Sequence, residues 1–237
     1  MTASTPAWLV KDCLDIGVFT NRLDEMLAFW QQQVGLPFDH MLPLGGGLRQ
    51  HRHDFQGSVF KLNHSRDSLP PRTKGGYLRL IIAREGVTTP IELTDPDGNR
   101  VQLVPPGHDG ISQWAIEVAT ASREAFLAFY NGTLGLPVAD THPCAVSCGR
   151  SRILGHVDSD LAQHSGSADM RRIGYRYTTI QVDKVDRVHA SVLSAGGTEG
   201  QPPATLGKTA RISFVRDGGG NWMELSQRAS ITGSLDA

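Results

Sequence analysis

Apolar and polar positions alternate along most of this chain, and short stretches of helical spacing interrupt the alternation. Leu14-Asp-Ile-Gly-Val-Phe-Thr20 reads as a strand, after which Leu23, Met26, Leu27 and Trp30 share one helical stripe. Asn21 is positioned to cap that helix, and Gly35 and Pro37 to stop it. Strands are expected at 38–42, 48–55 and 58–64, the last two joined by a Gln56-Gly57 turn. The unit is β-α-β-β-β. Residues 65–76 read as a linker, and strands follow at 78–83, 90–94 and 100–105. The gap from Ala83 to Pro90 is too short for a helix, so this second unit is truncated. The second half opens with a strand at 113–119, a helix at 122–133 and strands within 144–157. A polar connection covers 158–170. Then come a strand at 177–182, a helix at 185–195 closed by Gly196-Gly197, and a hairpin of 211–215 with 222–226.

Parts of this pattern repeat. Leu27-Ala-Phe-Trp30 returns 100 residues later as Leu127-Ala-Phe-Tyr130, and Gly35-Leu-Pro37 returns at the same offset as Gly135-Leu-Pro137. Asp95-Pro-Asp-Gly-Asn99 with Gln102 returns after 122 residues as Asp217-Gly-Gly-Gly-Asn221 with Glu224. Ordered repeats of this kind imply copies of one supersecondary unit, none able to bury its own face alone. They divide the chain into related halves, 13–105 and 111–228.

Bulk properties narrow the class. The 237 residues suffice for two cores of roughly 100–120 residues each. With 23 basic and 24 acidic residues and a net charge of −1, nothing suggests nucleic acid as a partner. No apolar stretch approaches a membrane span, and residues 2–6 do not read as a signal peptide. Three cysteines argue against a disulfide framework and for a cytoplasmic location. Cys144 and Cys148 hint at a metal, but their spacing fits no common zinc pattern, and ordinary strand cysteines are expected.

Tyr177-Thr-Thr-Ile-Gln-Val-Asp183, Ala195-Gly-Gly197, Gln201-Pro-Pro203, Phe214-Val-Arg-Asp217, Asn221 and Met223-Glu-Leu225 together resemble one βαβββ module of the vicinal oxygen chelate superfamily. That superfamily includes glyoxalase I, bleomycin-resistance proteins, fosfomycin-resistance enzymes and extradiol dioxygenases. The resemblance implies an α+β fold of tandem βαβββ modules forming two cupped domains, the second module lacking its helix. Pairing of the first module with the second is the default. Pairing of the first with the fourth would bring Asp15 and Glu224 into one cup. In the family, metal ligands come from the first strand of each module, usually His, and from its last strand, usually Glu. Transferred to this sequence, those positions are Asp15 and Lys61, then Leu78 or Arg79 with Gln102. Next come Ala115 or Gln113 with a position near Gly155 or His156, and finally Tyr177 with Glu224. Only Glu224 fits the pattern. No cofactor is therefore expected, and a divalent metal only through Glu224 with unusual neighbours.

Strand alternation reads the first hairpin face by face. A two-residue turn pairs Asp54 with Val59, Arg52 with Lys61 and Gln50 with Asn63. Phe55, Phe60 and Leu62 then face a helix, with His51, His53 and His64 at the edge of that core. Gln50, Arg52, Lys61 and Asn63 face the cup with Asp15. Opposed cations such as Arg52 and Lys61 call for an anion between them. Trp222 shares a face with Glu224 and offers an aromatic wall.

The expected function is that of a small-molecule lyase, isomerase or related enzyme acting on a polar or aromatic metabolite. Asp15, Lys61, Tyr177 and Glu224 are the catalytic candidates, and Gln50, Arg52, Asn63, Gln102, Gln113 and Trp222 the substrate-binding ones. Arg52 and Lys61 would hold an anionic oxygen while Asp15 or Glu224 moves a proton. The alternatives are a sequestering protein without catalysis and a metal-dependent enzyme with unusual ligands. A homodimer is compatible with either reading.

Overall fold

The computed structural model describes residues 5–164, 169–233 and 235. Parts of the expected leader (1–12) and of the connection at 158–170 lie outside the described residues. The first module contains β1 (Asp15–Thr20), α1 (Leu23–Ala28), β2 (Phe38–Gly45), β3 (Leu48–Phe55) and β4 (Ser58–Ser65). The second has β5 (Tyr77–Ala83), β6 (Ile91–Thr94) and β7 (Arg100–Val104), with no helix between β5 and β6. The third has β8 (Trp114–Thr120), α2 (Arg123–Leu127), β9 (Ala145–Cys148), β10 (Ser151–Val157) and the short α3 (Ser159–Gln163). The fourth has β11 (Gly174–Gln181), α4 (Val185–Ser194), β12 (Thr198–Leu206), β13 (Ala210–Arg216) and β14 (Trp222–Arg228), followed by α5 (Ala229–Thr232).

Two curled sheets result. Their strand orders are β12-β13-β14-β11-β1-β4-β3-β2 and β6-β7-β5-β8-β10-β9. The first module therefore pairs with the fourth, and the second with the third, against the default expectation. The seam of the larger sheet is the antiparallel β1–β11 ladder, which matches Asp15 to Thr179 and Gly17 to Tyr177 before a bulge. A fully buried apolar cluster running through Trp30, Phe60, Trp114, Ile116, Ile180 and Leu225 joins both sheets. Phe55 of the larger sheet stacks on Trp114 of the smaller one at 5.3 Å.

The repeats have local physical causes. After α1 and after α2 the helix widens into a π-helical turn, over Phe29–Gln33 and Ala128–Thr133. Leu36 and Leu136 then donate back to the carbonyls of Trp30 and Tyr130 at 2.8 and 3.0 Å. Gly35 and Gly135 make that exit possible at φ of 77° and 67°, a left-handed conformation costly for other residues. The other repeat is a carboxylate-centred turn. Asp95 Oδ1 accepts from the amides of Asp97 and Asn99, and Asp217 Oδ1 from those of Gly219 and Asn221. Both conserve strand-to-strand geometry, not chemistry.

Some expectations require correction. Asn21 does not cap α1: its side chain ties down the loop after β4 by donating to the Ser65 and Asp67 carbonyls and accepting from the Leu69 amide. Strand β12 was not expected because Pro202 and Pro203 interrupt it. It is an edge strand, and its ladder skips from Gln201 to Ala204, so the missing amides break no pairing. His189 is buried under α4, bonded to Ser213 and Glu199 at 3.0 Å each, not on a free helix surface.

Candidate functional site

The larger sheet curls around a cavity of about 470 Å³. Its floor comes from the central strands, where alternation turns Lys61, Tyr177, Thr179 and Glu224 to the concave side. The Lys61 ammonium donates to Glu224 Oε2 at 2.8 Å and to Thr179 Oγ1 at 2.6 Å. Thr179 Oγ1 in turn donates to the same Glu224 oxygen at 2.7 Å. The side chains of Lys61 and Glu224 are 2% and 8% exposed, so the pair is desolvated. Burial pushes the Lys61 ammonium below its ordinary pKa, and the charges of Glu224 and Asp15 oppose that shift without cancelling it. Glu224 Oε1 carries no hydrogen bond among the described residues and is left for the cavity.

Beside this triangle, Gln50 and Asn63 both donate to the Tyr177 hydroxyl, at 3.4 and 3.3 Å. With its oxygen accepting twice, the phenol proton is free for an acceptor in the cavity. Burial, then the nearby Glu224 charge, raises the Tyr177 pKa and keeps the phenol protonated. The Tyr177 ring lies directly over Gly17, where an added Cβ would sit 2.1 Å from a ring carbon. Arg52 donates to Gln50 Oε1 at 2.9 Å, which fixes the Gln50 amide toward Asn63 and Tyr177. Apolar walls come from Phe19, Leu48, Ile212 and Phe214, with Leu42 and Leu44 from β2 and Leu206 from β12 at the rim.

The remaining candidates fall elsewhere. Asp15 shares the face of Lys61 and Thr179 but does not line the cavity, its oxygens taken by Lys11 at 2.7 Å, the Val59 amide at 2.9 Å and Gln181 at 3.3 Å. Burial raises its pKa, but the charges of Lys61 and Lys11 outweigh that and hold it below the ordinary value. Trp222 packs edge-on against Phe214 at 5.9 Å as part of the wall behind Tyr177. Gln102 belongs to β7 in the smaller sheet, so it is not in this cup. Gln113 is a bridge, donating to the Gln56 carbonyl at 2.8 Å and accepting from Ser151 at 2.9 Å. His53 is fully buried between Gln31, Phe38 and Phe60, consistent with a histidine of the core edge. Gly17, Thr179 and Arg228 belong to the site but were not singled out from the sequence. A glycine inside a buried strand was the available signal for the first.

The ladders fix which residues share the concave face of each cup. In the larger cup Asp15, Lys61, Tyr177 and Glu224 share the concave face with Gly17 and Thr179. In the smaller cup the same face carries Arg79, Gln102, Ala115, Glu117 and Leu154, with His156 at its end, and Arg79 pairs with Glu117 at 3.2 Å and Glu92 at 3.4 Å. Neither set suits a divalent metal. In the larger cup an ammonium, a donor without a lone pair, occupies one position and already holds the only free carboxylate. In the smaller cup the carboxylates of Glu117 and Glu92 are engaged by the Arg79 guanidinium. Among the described residues no group of three His, Cys, Asp or Glu side chains could hold a metal, and Cys13, Cys144 and Cys148 are buried free thiols.

Comparison with known proteins agrees with this architecture. Residues 114–225 match the family model of the Glyoxalase/Bleomycin resistance protein/Dioxygenase superfamily. Two variants of glyoxalase I from Zea mays share the fold, with TM-scores of 0.71 and 0.69 at 14% and 13% identity. These alignments cover 94% of this chain and 96% and 95% of theirs. A putative dioxygenase from Bacillus subtilis gives a TM-score of 0.66 at 11% identity, covering 95% of this chain and 86% of its own. The sequence matches none of the curated proteins against which it was compared. No helix among the described residues is long and apolar enough to cross a membrane.

Proposed function

We propose that the chain is a member of the Glyoxalase/Bleomycin resistance protein/Dioxygenase superfamily, whose family model its residues 114–225 match, and that it is a lyase or isomerase that moves a proton on a small polar or aromatic metabolite in its larger cup, without a divalent metal. The observation that carries this reading is the buried Lys61–Thr179–Glu224 triangle, which leaves Glu224 Oε1 facing the cavity. In this mechanism Glu224 takes a proton from a carbon next to a carbonyl. The Tyr177 phenol donates to the oxygen on which negative charge develops, and the Lys61 ammonium supplies the compensating field. The floor is buried, so these charges are screened less than they would be in water. A metal would ordinarily stabilise that oxygen as a Lewis acid; here fixed donors do so.

The test is deuterium incorporation into a panel of small aromatic and polar 2-oxo and 2-hydroxy carbonyl compounds, followed by proton NMR. Wild-type protein should catalyse exchange that survives chelator, and Glu224→Gln should abolish it while remaining folded by circular dichroism. Exchange that disappears with chelator and returns with added metal would overturn the reading. One observation favours a sequestering protein instead: Lys61 and Glu224 already neutralise one another. Tight binding of panel members with no exchange in any of them would decide for that alternative.

A further inference from the structure

The larger cup is unbalanced in charge. Its lining carries Lys61, Arg171 and Arg228 against a single carboxylate, Glu224, and that carboxylate is engaged by Lys61. Asp15 does not redress the balance, because it is paired with Lys11 and lies outside the cavity lining. Arg228 lies on the concave face of β14, two pleats beyond Glu224. Arg52, opposite Lys61 on β3, is only 8% exposed and donates to Gln50, a neutral amide. Among the described residues neither guanidinium has a carboxylate within ion-pair distance. Arg171 and Arg228 both line the cavity, whereas Arg52 is held by Gln50 and is not part of the lining. Like charges brought together in a half-dry cavity destabilise the empty protein unless an anion lies between them.

We infer that Arg171 and Arg228, the guanidiniums that line the larger cup, form its anion subsite, for the carboxylate or phosphate of a ligand whose apolar body lies on Phe19, Leu48 and Phe214. The planar donors of two guanidiniums suit an oxyanion with several acceptor lone pairs. The apolar walls on the opposite side suit an aromatic or aliphatic body, and a cavity of about 470 Å³ accommodates a two-ring compound. The inference rests on the larger cup being the ligand site, and it adds which end of the ligand is charged.

Three matched probes test it by calorimetric titration at neutral pH and low salt: 2-naphthoate, 2-naphthyl phosphate and the uncharged 2-naphthol. Both anions should bind wild-type protein about tenfold or more tightly than 2-naphthol, as charge-assisted hydrogen bonds require. In Arg228→Gln the anions should lose about tenfold while 2-naphthol changes less than twofold, and Arg228→Lys should recover part of the loss. The melting temperature of unliganded Arg228→Gln should be unchanged or higher, since a repulsion has been removed; a purely structural arginine would lower it. The stronger of the two anions identifies the headgroup. Equal affinity for all three probes in the wild type, or a loss shared by all three in Arg228→Gln, would overturn the subsite. Binding of 2-naphthol alone would leave the cup intact and refute only the anion site. Failure of all three to bind would refute the cup itself. Selective anion binding without proton exchange would keep the subsite and remove the catalytic proposal.

Discussion

Replacing Lys61 with methionine tests the centre of the site directly. Methionine fills much of the lysine stem but strands Glu224 in a pocket where its side chain is 8% exposed and Thr179 is the one remaining donor among the described residues. Breaking a buried ion pair from one side costs about 3–5 kcal/mol, whereas a solvated surface pair is worth under about 1 kcal/mol. For a chain of this size that is a fall in melting temperature of roughly 10 °C. The assay is reversible urea unfolding of Lys61→Met, Glu224→Leu and the double variant, with the slope of the transition held constant between them. Because two apolar side chains can replace a buried pair at little net cost, the double variant should return to within about 1 kcal/mol of wild type. A loss under about 1 kcal/mol for Lys61→Met would mean that the pair is hydrated and the floor is not dry. A double variant as unstable as the sum of the singles would show that the two groups do not act on each other. Either result would remove the electrostatic argument on which the proposed chemistry stands.

Two further outcomes follow from the same geometry. Burial pushes His53 down to about 4, below the 6.5 of an unfolded imidazole, so acidification between those values protonates the unfolded chain first and stability falls across that window; His53→Leu should flatten the limb of a stability-against-pH curve there, and an unchanged limb would refute the assignment. Gly17→Ala would place a Cβ 2.1–2.6 Å from three carbons of the Tyr177 ring, so the ring must move; ligand affinity should drop on the order of tenfold, more than misplacement elsewhere in the wall would cost, and unaltered affinity would show that Tyr177 does not orient the ligand.

Much of this arrangement was legible before the fold was known, and the reasons are local. The β3–β4 register followed from Gln56 and Gly57, whose φ values of 54° and 88° make the tight turn that two-residue hairpins need. Once the turn was fixed, alternation alone assigned Gln50, Arg52, Lys61 and Asn63 to one face. The truncated second module followed from counting residues between Ala83 and Pro90. What the sequence left open is non-local. Whether β1 pairs with the fourth module or the second depends on packing between segments about 160 residues apart, and no periodicity encodes it. Arg228 ends the last strand and shares a cup with Lys61 only because the β1–β11 ladder joins the fourth module to the first. Gln113 looked like a floor residue by register, but it faces the seam between the sheets, where the Gln56 carbonyl and Ser151 needed partners.

The exchange of a metal-ligand set for an ion pair also changes what the cup can recognise. Carboxylate and imidazole ligands around a divalent cation would leave the positive charge at the floor, and an anionic substrate would bind there. In this chain the floor is internally balanced: Lys61 opposes Glu224, and Lys11 opposes Asp15. The surplus positive charge of the lining lies instead at Arg171 and Arg228, the latter two pleats beyond Glu224 on β14. Recognition of ligand charge and transfer of a proton are thereby assigned to different ends of the same cavity. A ligand anchored at the arginine end would present an uncharged, carbonyl-bearing end to the floor. An anion bound at the floor would instead compete with Glu224 for the Lys61 ammonium. The salt dependence of anion binding should therefore weaken with Arg228→Gln and persist in Lys61→Met, an ordering that a floor-bound anion would reverse.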